Sequence, residues 1–137
     1  MNVTGQIQES LLVKAHRMVG VVGILVFIGT GLYMRIAKHG LQGLEPLPRM
    51  MFRSAHIYLL LSSLINLAIG VSFNRLRTKV QNIASVLILI APPLMLTAFF
   101  VEPGLNSFER PFAGPAIYAL FAGMLLYFID YSRERRH

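Results

Sequence analysis

Two histidines head two apolar helical runs, and they are the residues of this chain best suited to chemistry. His16 begins HRMVGVVGILVFIGTGLYMRIAKHG, and His56 lies near the start of FRSAHIYLLLSSLINLAIG. An imidazole at the head of a membrane helix can ligate a metal, exchange a proton or hold polar neighbours by hydrogen bonds. Counting ~100° per residue from His16, the small or polar residues Gly20, Gly23, Thr30 and Gly31 fall within about 60° of its direction. A face this smooth suits close packing against another helix, or a flat slot of the kind a porphyrin or quinone ring needs. On the second run His56, Ser63, Asn66 and Gly70 share a face within about 80°. Together with Arg53 they form a polar seam. Buried hydroxyl and amide groups in lipid need partners, so the Ser63 and Asn66 face is expected to point into a bundle or a protomer interface. His56 lies at the membrane edge, where Glu102 or Glu109 of a later loop could pair with it. The chain has no cysteine, which excludes disulfides, thiolate metal sites and iron-sulfur clusters. No catalytic constellation and no metal-ligand quartet is read from the sequence.

The elements that must position these residues are membrane helices. Residues 18–34, 57–73, 83–101 and 112–129 are four apolar runs free of Asp, Glu, Lys, Arg and His. Each approaches or meets the ~17–25 residues that a helix rising ~1.5 Å per residue needs to cross ~30 Å of hydrocarbon. Hydrophobic residues make up 55% of the chain and charged residues 14%, with mean hydropathy +0.59. The expected fold is all-α, a polytopic membrane protein of four transmembrane helices in an antiparallel up-down bundle. One domain, 1–137, is expected, with spans about 14–36, 54–74, 82–101 and 111–131. The first run leads into Arg35 and Lys38 without a small-residue cleavage site, so it is expected to be retained.

The net charge of +7 is explained by topology rather than by nucleic acid, because Lys and Arg fall in small groups at helix ends. One side holds Lys14, Arg17, Arg75, Arg77, Lys79, Arg133, Arg135 and Arg136, and the other holds Arg35, Lys38, Arg49, Arg53 and Arg110. By the positive-inside rule, eight against five predicts both termini in the cytoplasm, and the expected location is an inner (plasma) membrane.

Breakers mark the connections. Residues 74–81, NRLRTKVQ, allow only a tight charged hairpin, so the second and third helices should be antiparallel neighbours. Residues 102–111, EPGLNSFERP, read as a polar, turn-rich loop. The first loop, with GLQGLEPLPRMMF and its Pro46 and Pro48, should lie on the membrane interface. Pro92 and Pro93 withdraw two backbone donors in the middle of the third helix, which predicts a kink or local unwinding. The fourth helix offers Ala119 and Gly123 at packing spacing, with Tyr118, Tyr127, Tyr131 and Asp130 as interfacial anchors.

The two quoted histidine-led segments resemble the first core helices of the cytochrome b561 superfamily. There a histidine opens one helix, a glycine-rich run ends in a basic stretch, and a second histidine opens the next helix from the opposite side. The resemblance covers roughly the first half of the chain. It implies His16 and His56 alone as haem ligands, with haem b as the group bound, while Gly20 and Gly23 belong to the smooth face of the first helix that could line a flat cofactor. In that family each would pair with a histidine of a later helix, yet neither the third nor the fourth span contains one. Met95, Met124 or a second copy of the chain would have to supply the remaining ligands. His39 and His137 lie outside the spans and receive no role.

Three function classes follow. The chain is expected to be an accessory or assembly subunit of a larger or homo-oligomeric membrane complex, which explains its sparse functional residues. The second class is a b-type haem or quinone protein moving electrons. The third is a small oligomeric channel or transporter following the Ser63 and Asn66 seam to Pro92, although no span carries the carboxylate of a proton-coupled exporter.

Overall fold

A computed structural model describes residues 3–72, 78–105 and 108–134. They form four long helices: α1 (Val3–Ile36), α2 (Pro46–Ser72), α3 (Lys79–Val101) and α4 (Ala113–Glu134), with short 3₁₀ turns at His39–Leu41 and Glu102–Gly104. All four have the length and apolar composition to cross a membrane. The fold is an all-α, four-helix bundle of a multi-pass membrane protein.

α2 begins at Pro46, eight residues before the expected edge of the span at 54. Pro46 and Pro48 do not break this helix but start it. The first N–H groups of a helix have no intrahelical acceptor, so a missing donor costs nothing there, and the fixed φ of proline is already helical. The preceding chain reverses through a left-handed stretch, with positive φ at His39, Gly40 and Leu41 and again at Gly43. Leu41 is buried and pegs that turn to the core.

α3 runs as one helix from Lys79 to Val101 through both Pro92 and Pro93, without the unwinding that the proline pair suggests. Its start is capped by Thr78, whose hydroxyl accepts from the Gln81 N–H at 3.1 Å and donates to Asp130 Oδ2 at 2.6 Å. This ties the first turn of α3 to the last turns of α4. Residue 73 and residues 74–77 of the expected hairpin, with Arg75 and Arg77, lie outside the described residues, as do 106–107 of the third loop and Arg135, Arg136 and His137.

Sequence neighbours pack together: α1 on α2, α2 on α3 and α3 on α4, with α1 also touching α3 across the bundle. α1 and α4 occupy the outer flanks. One half of the core gathers Phe52, Leu59, Met95 and Phe99, and the other gathers Val13, Ile69, Ile88 and Leu120. Tyr127 belongs to the second cluster and is buried, not an exposed anchor, whereas Tyr118 is exposed. The buried stripe Ala116, Leu120, Gly123 and Tyr127 faces the bundle from α4. A Cβ on Gly123 would lie 2.9 Å from the Ala84 carbonyl oxygen, so α3 and α4 approach closely there.

The third loop is less exposed than its composition suggests. Glu102 is fully buried, accepting from the N–H groups of Phe112 (3.0 Å) and Ala113 (2.7 Å) and from Arg110 Nε (2.9 Å). A carboxylate at the start of α4 satisfies orphan backbone donors and meets the positive end of the helix dipole. Its pairing with Arg110 neutralises the buried charge.

Candidate functional site

The interface between α1 and α2 collects the residues that the sequence marks as chemically capable. Because the helices run antiparallel, the smooth face of α1 meets the polar seam of α2 pair by pair. Arg17 lies against Gly70, His16 against Asn66, Gly20 against Leu67, Gly23 against Ser63, and Gly31 against His56. A Cβ on Gly20 would sit 2.6 Å from the Leu67 backbone nitrogen, and one on Gly70 the same distance from the Arg17 backbone nitrogen. Only glycine permits backbones this close, which is the usual use of small residues where no hydrophobic force joins helices. Arg17 Nε donates to the Gly70 carbonyl near the end of α2, where carbonyls lack intrahelical partners.

At one end of this interface lies a polar cluster sealed from the surroundings. His16, Asn66, Ser62, Ser63 and Ser85 are all completely buried. Asn66 Nδ2 donates to the Ser62 carbonyl (2.8 Å) and the Ile88 carbonyl (3.1 Å), so both amide hydrogens are used. Its Oδ1 is therefore the acceptor facing His16 Nδ1 at 2.7 Å, and the hydrogen-bond network assigns the proton to that nitrogen. His16 Nε2 then accepts from the Ser85 hydroxyl of α3 at 2.7 Å when the ring is neutral. Three helices are joined through one imidazole. Ser63 turns its hydroxyl back to the Leu59 carbonyl at 2.6 Å and fills the space opposite Gly23.

His56 sits at the other end of the interface. The Thr30 hydroxyl donates to the Phe27 carbonyl at 2.9 Å, so its oxygen accepts from His56 Nδ1, also at 2.9 Å. The ring stacks on Phe27 with centroids 4.0 Å apart and planes 17° from parallel. His56 is half-buried, and its Nε2 has no hydrogen-bond partner among the described residues. It does not pair with Glu102, which is taken up by Arg110 and the start of α4. His16 and its counterpart Thr30 are fourteen residues apart on α1, which at ~1.5 Å per residue separates the two imidazole sites by ~21 Å. One iron cannot be shared between them.

No protein family, curated protein or solved structure is matched by this chain. A haem held by His16 does not fit the residues as they stand, because both ring nitrogens are engaged and α2 fills the slot over Gly20 and Gly23. Met95 is fully buried in the opposite half of the core from His16, and Met124 lines a shallow groove beside α4. The seam of Ser63 and Asn66 is packed against α1 and α3, while Arg53 lies on the exposed face of α2. Among the described residues no cluster of His, Asp and Glu has the makings of a metal site.

Ser85 was not legible as a partner of His16. It lies on the buried stripe of α3 with Ala84, Ile88 and Pro92, and a lone hydroxyl in that stripe was the available signal. Glu102 was visible as a charge beside the third span, but its capping of α4 depends on the fold of the loop.

Proposed function

We propose that the chain is an accessory or assembly subunit of a larger or homo-oligomeric membrane complex, acting through helix packing in the bilayer rather than through bond-making. The observation that carries this reading is the engagement of the polar cluster. His16, Asn66 and Ser85 spend their hydrogen bonds on holding α1, α2 and α3 together, and Gly20 and Gly23 spend their smallness on the α1–α2 contact. The outer flanks are apolar and concave. Met18, Val22, Val26, Leu59, Pro92 and Leu96 help line a groove of about 290 Å³ beside α1 and α3, and Ile65, Ile88, Met124 and Phe128 help line one of about 270 Å³ beside α2 and α4. Ridges of a neighbouring helix fit such grooves.

The test is to excise the protein directly from its native membrane into polymer-bounded discs and weigh the particles. A subunit should appear in particles containing further copies or other proteins. Discs holding a single 15.3 kDa chain alone, at native expression level, would overturn the reading.

A second reading is favoured by one observation at His56. A histidine that donates through Nδ1 and keeps the Nε2 lone pair uncommitted has the arrangement of a metal ligand, whose other nitrogen is commonly fixed by such a bond. On this reading a b-type haem or a quinone is held at His56, in keeping with the b561 resemblance, and a second copy supplies the opposing ligand. The visible spectrum of the purified protein before and after dithionite tests it. A colourless protein that cannot be reconstituted with haem would exclude the haem form, and absence of quinone binding would exclude the other.

A further inference from the structure

The first turns of α2 carry two arginines whose charges have no acidic partner among the described residues. Arg49 and Arg53 stand one helical turn apart on the same face and, with Pro46, Met50, Ser54 and Ile57, line a shallow trough of about 400 Å³. The ion pair found among the described residues is Arg110 with Glu102 in another loop. Arg49 Nη2 donates to the Leu44 carbonyl at 2.7 Å, and its buried Nε–H has no acceptor among the described residues. A buried donor on a cation left without an oxygen is costlier than a neutral one. Arg53, one turn further in, is exposed. Two like charges ~6 Å apart along the helix axis raise the local positive field, which favours an oxygen anion large enough to meet both guanidinium groups.

The trough also has a direction. Arg49 and Arg53 lie near the end of the span, whereas Ile57 lies another turn into the hydrocarbon and is 61% exposed, with Met50 beside the arginines 50% exposed. Going inward the surface passes from cationic to apolar, in the order in which a phospholipid passes from phosphate to acyl chain. We propose that this face of α2 binds an anionic phospholipid, with Arg49 and Arg53 holding the phosphate and Ile57 lying along the chain. A phosphate presents several oxygens to two guanidinium forks at once. A zwitterionic headgroup would bring its own cation into the same field. The proposal goes beyond the subunit reading and does not depend on it.

Native mass spectrometry of the full chain, released from mixed micelles of phosphatidylglycerol and phosphatidylcholine, reads the preference directly. The wild-type protein should retain phosphatidylglycerol, and retention should fall about fivefold for each arginine removed, in Arg53→Gln and again in Arg49→Gln/Arg53→Gln. Arg35→Gln/Lys38→Gln, which removes charge from the same side of the bundle but outside the trough, should keep the preference. Because Arg49 also bonds the Leu44 carbonyl, Arg53→Gln alone keeps the test decisive if the double variant does not fold. Equal retention of the two lipids by wild type, or an unchanged preference in Arg53→Gln, would overturn the proposal. Displacement of phosphatidylglycerol by millimolar inorganic phosphate would also overturn it, assigning the arginines to a soluble anion instead.

Discussion

The side-chain amide of Asn66 stands in for the backbone donor that Pro92 removes. In an uninterrupted helix the Ile88 carbonyl would accept from the N–H of residue 92; here it accepts from Asn66 Nδ2 at 3.1 Å, from the neighbouring helix. The break in α3 is thus repaired by α2, and the same amide orients His16 through its oxygen. One side chain serves three helices.

Asn66→Leu removes the bonds to His16 and to Ile88 together. Interhelical bonds of this type average about 0.6 kcal/mol and reach about 1.7, so a loss of about 1–3 kcal/mol is expected in reversible unfolding from mild detergent. Pro92→Ala returns a backbone donor to the Ile88 carbonyl. In that background Asn66→Leu should cost less, with a coupling of about 0.5–1 kcal/mol. Strict additivity of the two substitutions would show that the repair carries no energy.

Close approach of α1 and α2 makes a second prediction. Gly20→Val forces a side chain into the Leu67 backbone and should destabilise the bundle by about 1–3 kcal/mol or part the two helices. Gly29→Ala, at a position where no described residue comes within 4 Å of the new Cβ, should leave the melting temperature unchanged or slightly raised. Equal effects of the two variants would mean that the glycines are not packing residues.

The two histidines should separate cleanly. His16→Ala leaves Asn66 Oδ1 and the Ser85 hydroxyl without their partner in a buried site, and stability should fall by about 1–3 kcal/mol. If the protein carries any haem, His56→Ala should remove its spectrum and His16→Ala should not. A chromophore that disappears with His16 and survives the loss of His56 would contradict the arrangement of hydrogen bonds.

Glu102 tests the start of α4. Glu102→Ala strips two backbone donors and Arg110 of their acceptor in a buried place, and about 3 kcal/mol of stability should be lost. Glu102→Gln keeps an acceptor oxygen and should be milder. Thermal unfolding followed by circular dichroism distinguishes the two, and equal losses would point to Arg110 rather than the helix cap as the main partner.

Orientation is checked with reporters. By the eight-to-five distribution of Lys and Arg, fusions at Thr78 and after His137 should read cytoplasmic and an insertion near Gly43 external. An external carboxyl terminus would reverse the topology.

Much of the fold was legible because its causes are local. A bilayer requires ~20 apolar residues per helix, and the four runs state that directly in composition. The face of α1 that meets α2 was legible too, since a 3.6-residue period places His16, Gly20, Gly23 and Gly31 together whatever lies opposite. The start of α2 was not, because proline reads alike as a breaker and as a first-turn residue, and only the chain reversal before Pro46 distinguishes them.

What tertiary structure alone decided is the use of each polar group. His16 meets Asn66 and Ser85, fifty and sixty-nine residues away, and nothing local says whether an imidazole will spend its nitrogens on an amide, a hydroxyl or a metal. The same is true of the smooth face of α1: smallness permits either a neighbouring backbone or a flat ligand, and the approach of Leu67 and Ser63 settles it in favour of the helix. Spans follow from a property of each segment, so sequence determines them; hydrogen-bond partners follow from which segments meet and in what register, so they exist only once the helices have packed.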